Sequence, residues 1–280
     1  MLKRLWYKLP FTGTSDPVVA RVALEGVIAP ESRTKKALSF SGVEKALLKA
    51  FAVPDAKAVV LTINSPGGSP TQSRMIHDRV RALSKKEKVP VITYIEDVGA
   101  SGGYMLALAG EEIFADPYAI VGSIGVIAGG FGFTGAIEKL GVERRVHTAG
   151  KNKSQLDPFR PEEQADITRL KGLLDKTHTL FVQMVKDRRG GRLSEDDETI
   201  FNGNFWLAGD ANELGLIDRT GDLRELLQER FGENVKIQTI ETEKKGLLTR
   251  LLGARSVSLI DPSDMIAHLE RSVQWTRFGR

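Results

Sequence analysis

Residues 56–69 read Ala-Lys-Ala-Val-Val-Leu-Thr-Ile-Asn-Ser-Pro-Gly-Gly-Ser, an almost continuous apolar run that ends in a glycine-rich turn. Runs of this length without polar alternation are typical of strands buried inside a parallel sheet. Residues 69–83 follow the turn with the spacing of an amphipathic helix, and residues 89–95 form a second apolar run. The stretch therefore predicts a β-α-β unit, the building block of α/β folds.

The same alternation continues on both sides of this unit. Upstream, residues 18–28 predict a strand and residues 42–51 a helix. Downstream, residues 101–109 predict a helix of small and apolar residues, and residues 112–115 predict a short strand. We expect an α/β fold of repeated β-α-β units, in which helices cover a parallel sheet.

The remaining chain is less regular. The pattern predicts a helix end at 136–140, a strand at 142–147, a long helix at 160–188, a short helix and turn at 206–218 and a last strand at 234–241. From about residue 244 the composition shifts to leucines among basic residues, and 264–278 again has helical spacing. We therefore divide the chain into an N-terminal arm (1–17), one main domain (18–243) and a C-terminal helical extension (244–280).

The composition excludes several kinds of function. The 280 residues include 40 basic and 36 acidic side chains, a balance that does not predict nucleic-acid binding. The chain has no cysteine, which rules out disulfides and thiolate chemistry. Its four histidines are not paired at the spacing of metal ligands. We expect neither a metal nor another cofactor.

Two segments bear on membranes. Residues 1–11 contain basic residues without a following apolar core, so they predict neither a signal peptide nor a transmembrane anchor. Their interleaved apolar and basic side chains fit a weak association with a membrane surface, or alternatively an arm that is disordered or packs between subunits. Residues 118–137 carry no charge but are rich in glycine, which favours a buried, turn-rich part of the core over a membrane span. A cytoplasmic or peripheral location is favoured.

Ser101 is the candidate nucleophile. It lies in the sequence Gly99-Ala-Ser-Gly-Gly103, where a predicted strand gives way to a predicted helix. A serine at such a junction can be held in a sharp turn with its hydroxyl exposed. The turn at Gly67 and Gly68 offers further free N–H groups, and the backbone N–H groups of Gly68 and Gly102 are the best candidates for an oxyanion hole. The pattern predicts acyl transfer.

A serine hydroxyl needs a base, and the residues leave two possibilities. One is a histidine, as in α/β-hydrolase esterases, for which His147, His178 and His268 all lie downstream of the serine. The other is a lysine, which must lose its hydration to be neutral near pH 7. Lys151 and Lys153 lie in a segment, 148–159, that follows a predicted strand and ends in Pro-Phe.

Five blocks of the sequence, taken together and in order, resemble the signal peptide peptidase A (SppA) family of serine–lysine proteases, which share the fold of the Clp protease subunit and the crotonases. The similarity spans roughly residues 18–230. The blocks are Ile-Asn-Ser-Pro-Gly-Gly-Ser (63–69), Gly-Ala-Ser-Gly-Gly-Tyr (99–104), Gly-Ser-Ile-Gly-Val (122–126), Gly-Lys-Asn-Lys-Ser (150–154) with Pro158-Phe159, and Gly203 with Ala-Asn-Glu-Leu-Gly-Leu-Ile-Asp (211–218).

The resemblance implies a short, single-domain endopeptidase with a Ser-Lys dyad. It assigns the nucleophile to Ser101 and the base to Lys153, with Lys151 as the competitor. Ser123 is either a hydrogen-bond partner of the lysine amine or a buried structural hydroxyl. The resemblance also implies a ring-like homo-oligomer whose dyad is completed between neighbouring subunits. Expected substrates are peptides, either remnants of signal peptides or other short unfolded apolar segments. The alternatives are the esterase with a histidine base and a non-catalytic, crotonase-like scaffold that binds peptides.

Overall fold

The computed structural model describes residues 16–31, 37–242 and 275–278. The candidate membrane-binding segment 1–11 and most of the C-terminal extension, His268 included, lie outside the described residues. In the described part of the chain, no helix is both long and apolar enough to span a membrane.

The expected α/β architecture is present. The strands are β1 (Val18–Glu25), β2 (Ala56–Ser65), β3 (Val91–Ala100), β4 (Glu112–Ala115), β5 (Ile120–Gly122), β6 (Phe205–Leu207), β7 (Arg219–Thr220) and β8 (Lys236–Ile240). The helices are α1 (Phe40–Phe51), α2 (Pro70–Glu87), α3 (Gly102–Ala107), α4 (Thr134–Lys139), α5 (Gln164–Arg189), α6 (Asp197–Ile200), α7 (Ala208–Glu213) and α8 (Leu223–Phe231).

The strands form one branched sheet in the order β6-β5-β3-β2-β1-β8. Every pairing is parallel except that of β5 with β6. The first part of β3 pairs with β4, whereas Val98 to Ala100 pair with β5. The register between β2 and β3 also shifts after Ile63. The sheet therefore splits at the end of β3, next to the candidate nucleophile.

Two apolar layers enclose the sheet. On one side, the buried face of α1 and the fully buried α3 pack on β1, β2 and β3 together with α2. On the other side, Leu226 and Leu227 of α8 pack on Val19, Val60 and Ile92. Both faces of the central strands are covered, which explains why their sequences are continuous apolar runs.

The long helix α5 is held by two arginines at its C-terminal end. Arg188 donates hydrogen bonds to the carbonyl oxygens of Leu108 and Gly110, which follow α3. Arg189 is buried and donates to the carbonyl oxygen of Gly215 and to the carboxylate of Asp218. These contacts place one side of α5 against the end of α3.

Two sequence predictions are wrong between β5 and α5. The uncharged segment 118–137 was expected to be part of the core, but it is buried only near its beginning. Residues 142–147 were expected to form a strand, but they have no regular structure and are exposed.

We call residues 126–163 the arm, a name that does not refer to the N-terminal residues 1–17. No residue from 127 to 165 is buried, because the apolar side chains of the arm contact one another rather than the main core.

Local contacts hold the arm in shape. Phe133 stacks on Phe159 with ring centroids 5.4 Å apart, and its N–H donates to the carbonyl oxygen of Pro158. Arg144 lies over the Phe159 ring and donates a hydrogen bond to Asp157 at 2.9 Å. The start and the end of the arm are thereby joined into a hairpin-like projection.

Candidate active site

Ser101 occupies a strained turn between β3 and α3. Its φ of 53° and ψ of −120° lie outside the conformations that residues with a side chain normally adopt. The N–H of Ser101 donates to the carbonyl oxygen of Gly122 at 2.8 Å, and its carbonyl oxygen accepts from Met105 N–H. A serine held in a strained strand-to-helix turn is the arrangement of the hydrolase nucleophile elbow.

The glycine turn at 67–68 lies directly against this serine. A Cβ added at Gly67 would come within 2.8 Å of both the Ser101 Cβ and the Gly102 nitrogen. A Cβ at Gly68 would lie 2.0 Å from the carbonyl oxygen of Ile28, and both glycines have positive φ. Only glycine fits at these two positions, because a side chain at Gly67 would collide with the Ser101 turn and one at Gly68 would collide with the Ile28 backbone.

The two expected oxyanion donors lie on facing segments. The position of a Cβ on Gly102 would be 3.3 Å from the Gly68 nitrogen, so the two glycine backbones are in close proximity. Among the hydrogen bonds of the described residues, neither the Gly68 N–H nor the Gly102 N–H is used as a donor. Backbone N–H groups that are fixed but unused are what stabilisation of a developing oxyanion requires.

A cavity of about 940 Å³ opens beside the serine. Ser101, Gly68, Gly102 and Ser123 contribute to its lining. Ser123 is buried, has a φ of 52°, and donates its N–H to the carbonyl oxygen of Asn204. The rest of the lining comes from the segment after β1, from Pro66, from α2, from Met105 of α3, from residues 125–127 after β5, from α5 and from Arg277 and Phe278.

The structure does not bring Lys153 into this cavity. Lys153 lies in a turn of the arm, where its N–H donates to the carbonyl oxygen of Gly150, and its side chain is exposed. Lys151 is exposed in the same turn. Segment 148–159 contacts the beginning of α5, since the Leu156 N–H donates a hydrogen bond to Asp166, but this contact brings neither lysine to the cavity.

The histidines do not supply the base either. His147 is exposed in the arm, and His178 of α5 lies 3.3 Å from the carbonyl oxygen of Ile124. His77 of α2 lines the cavity, but its Nδ1 is paired with Asp78. No histidine within the described ranges is hydrogen-bonded to Ser101. The described residues also contain no cluster of three or more His, Asp or Glu side chains that could hold a metal ion.

Sequence reasoning missed the far wall of the cavity. Leu180, Phe181 and Met184 reach it from α5, and Phe278 packs on Val98 and Ala100 at the end of β3. The amphipathic pattern of α5 indicates a buried face, but it does not indicate which surface this face meets. Phe278 and Ser101 line the same cavity although they are far apart in the sequence. Only tertiary packing brings them together, and no local sequence pattern predicts it.

The family model for peptidase family S49 matches residues 83–236 of this chain, and the Clp protease model matches residues 15–121. The S49 match covers more than half of the sequence.

The chain belongs to peptidase family S49.

A curated relative of similar length supports this membership. A Synechocystis relative that is named as a protease is 33% identical over 281 residues, which cover 96% of this chain and 94% of the relative. The family match confirms the resemblance to SppA proteins, and the Clp protease match agrees with the expected ClpP-like fold.

A longer relative carries a different name. A Brucella abortus protein named as the Na⁺/H⁺ antiporter NhaA is 46% identical over 278 residues, covering 95% of this S49 chain. The chain spans only 37% of that relative's length. The antiporter name thus describes a protein more than twice as long.

A solved structure agrees on the fold. A variant of the membrane-bound stomatin-specific protease 1510-N, in complex with a substrate peptide, aligns with a TM-score of 0.51 and 19% identity. The alignment covers 85% of the S49 chain and 98% of the solved chain.

Proposed function

We propose that this S49 chain is a serine endopeptidase that uses Ser101 as its nucleophile and Lys153 as its general base. The observation that carries the proposal is the strained Ser101 turn, which opens on a cavity beside the unused N–H groups of Gly68 and Gly102. A peptide carbonyl in the cavity would meet the nucleophile and the oxyanion donors together.

The proposed reaction is acyl transfer. The neutral Lys153 amine removes the proton of the Ser101 hydroxyl as its oxygen attacks the scissile carbonyl carbon. The Gly68 and Gly102 N–H groups stabilise the resulting oxyanion. The protonated amine then donates its proton to the leaving amine, and water hydrolyses the acyl-enzyme. Ser123 lines the cavity beside Ser101, a place from which its hydroxyl could orient the incoming lysine amine.

We further propose that Lys153 reaches Ser101 from a neighbouring copy of the chain in a ring-like oligomer. Within one chain, the lysine does not line the cavity that contains the serine. It lies instead on the projecting arm, which also exposes Ile127, Phe131 and Leu140. An exposed apolar surface of this kind is typical of a subunit interface.

The expected substrates are short, unfolded peptides with apolar side chains, such as remnants of signal peptides. Much of the cavity lining is apolar, including Ile28, Met105, Phe181 and Met184. Such a cavity favours extended apolar segments, because a folded domain does not present its backbone to a concave site.

The test is cleavage of an internally quenched peptide library by the wild type and four variants. Ser101→Ala is expected to abolish cleavage, and Lys153→Ala to reduce it at least 10³-fold, since a serine without its base is a poor nucleophile. Lys151→Ala is the matched control and is expected to keep most of the activity. Full activity of Lys153→Ala together with loss of activity in His77→Phe would instead support a histidine base.

Mixing inactive variants tests where the lysine comes from. If a neighbour supplies it, mixed oligomers of Ser101→Ala and Lys153→Ala chains contain some intact sites and regain activity. Mixed oligomers that form but stay inactive would place the dyad within one chain. A wild type that cleaves nothing would favour the non-catalytic, peptide-binding scaffold.

A further inference from the structure

The phenyl ring of Phe278 lies at the end of β3, next to the candidate nucleophile. Phe278 is 7% exposed and belongs to one apolar cluster with Val98 and Ala100. Ala100 directly precedes Ser101 in the chain, and consecutive Cα atoms are about 3.8 Å apart. Phe278 and Ser101 both line the cavity. The ring of Phe278 is therefore a part of the cavity wall that packs one residue away from the nucleophile.

A second aromatic ring supports Phe278 from β6. The ring centroids of Phe205 and Phe278 are 5.1 Å apart in an edge-to-face arrangement, which is favourable for two aromatic side chains. Phe205 is the register partner of Gly122 in the antiparallel pair of β5 and β6, and the Cα atoms of such partners are about 4.5–5.5 Å apart. The Gly122 carbonyl oxygen in turn accepts a hydrogen bond from the Ser101 N–H at 2.8 Å. We call Phe205 and Phe278 the aromatic wall.

The base of the aromatic wall is held on both sides. Gly99 of β3 pairs with Ser65 of β2 and with Val121 of β5. Ile120 and Trp275 pack against the same apolar cluster as Phe278. Because closely packed side chains on paired strands leave little room for rearrangement, a bulky substrate group cannot gain space here by moving the backbone beneath the ring. The wall consequently sets a limit on size.

We propose that Phe278 determines specificity by limiting the size of one substrate side chain beside the scissile bond. Small side chains fit against the aromatic wall, whereas large aromatic ones are excluded. The proposal rests on the proposed function, because Ser101 marks the position of the scissile bond. Replacing the ring of Phe278 by a methyl group would uncover Phe205, Val98 and Ala100. These side chains would then form an apolar recess, a suitable site for an aromatic group.

Peptide binding to the inert Ser101→Ala protein tests this size limit without turnover. A labelled alanine-based peptide is compared, by fluorescence anisotropy, with peptides in which one alanine at a time is replaced by tryptophan. At one position we expect the tryptophan peptide to bind about tenfold more weakly or worse, because a packed wall does not make room for extra atoms. In Ser101→Ala/Phe278→Ala this penalty is expected to disappear at that position and to stay unchanged elsewhere. Ser101→Ala/Phe278→Leu should show an intermediate penalty.

The matched control removes a phenylalanine ring elsewhere. Phe231 of α8 is half-buried against the apolar cluster of that helix and does not line the cavity. Ser101→Ala/Phe231→Ala is therefore expected to keep the size limit. Thermal unfolding shows which variants are folded, and the leucine variant at position 278 decides the question if the alanine variant is not.

Three results would overturn the proposal. In the first, no position distinguishes tryptophan from alanine. In the second, the size limit survives in the folded Phe278 variants. In the third, Phe278→Ala strengthens the binding of every peptide by the same factor, the alanine peptide included, since residues 275–278 would then compete with the peptide rather than shape a subsite. A size limit that depends on Phe278 in a protein whose wild type cleaves no peptide would count against the proposed function alone.

Discussion

At the scale of single residues, the site depends on three glycines that leave no room for a side chain. Gly67 and Gly68 have positive φ and lie against Ser101 and Ile28. Gly102 differs, because a Cβ there would collide mainly with one hydroxyl, that of Ser73 at 2.5 Å. The Ser73 hydroxyl is therefore the main obstacle to a side chain at Gly102, and a substitution at Ser73 can remove it.

This contact gives a prediction with a built-in rescue. Gly102→Ala is expected to lower the free energy of unfolding by about 1–3 kcal/mol through overpacking, and to reduce peptide cleavage. Adding Ser73→Ala removes the colliding oxygen and should restore part of the stability. Gly129→Ala is the control, because a Cβ at Gly129 has no atom within 4 Å. Urea unfolding measures the differences; equal losses in the single and double variants would contradict the assigned contact.

Ser101, Gly68 and Gly102 could be proposed as candidates from the sequence because the backbone geometry that they need is local. Two local patterns indicate unusual backbone geometry. One is the serine between glycines at the end of β3, and the other is the Pro-Gly-Gly turn at the end of β2. Phe278 gave no such signal, because the residues of β3 and β6 that it contacts lie far away in the sequence.

At the scale of elements, helix α5 depends on a buried ion pair at its end. Arg189 is 2% exposed and binds Asp218, which also accepts a hydrogen bond from the Ile113 N–H of β4. The sequence predicted the helix nearly to its end, but the structure begins it at Gln164 rather than at residue 160. The pairing with Asp218 joins distant parts of the chain, so it could not be predicted from helical spacing.

Breaking this pair is expected to be costly. Arg189→Ala removes the main partner of Asp218, which is 22% exposed and keeps its contact with Arg192, so the free energy of unfolding should fall by about 1–3 kcal/mol. Arg192 contacts the same carboxylate at 3.6 Å but its side chain is 51% exposed, so Arg192→Ala should change stability by less than about 1 kcal/mol. Chemical denaturation compares the two. Similar losses for both variants would show that the pair contributes only as a surface charge interaction.

At the scale of the whole molecule, the arm leaves the large apolar side chains of Ile127, Phe131 and Leu140 exposed. The sequence identified its lysines through the resemblance to SppA, but it placed residues 118–137 in the core and residues 142–147 in a strand. Both errors have one physical cause. Apolar side chains predict burial without saying whether the covering surface belongs to the same chain.

The proposed interface can be tested with a charge on the arm. Leu140 is 76% exposed, and Leu140→Asp is expected to shift the protein from an oligomer to a monomer. Peptide cleavage should fall at least tenfold, because a separated chain has no neighbouring Lys153. Leu48→Asp, which alters an exposed leucine of α1, is the control and should leave the assembly intact. Light scattering after size-exclusion chromatography reports the mass, and an unchanged mass for Leu140→Asp would exclude this surface from the interface.

The lack of any buried residue from 127 to 165 also affects how long the proposed peptidase keeps its activity. In a chain that has dissociated from the proposed oligomer, this stretch is exposed to solvent. The intact oligomers are proposed to cleave accessible polypeptide of this kind. Dilution should therefore shorten the half-life of activity, as dissociated chains are nicked by the remaining oligomers. Mass spectrometry is expected to locate the nicks inside the arm, and a stock of Ser101→Ala protein kept at the same low concentration should stay whole.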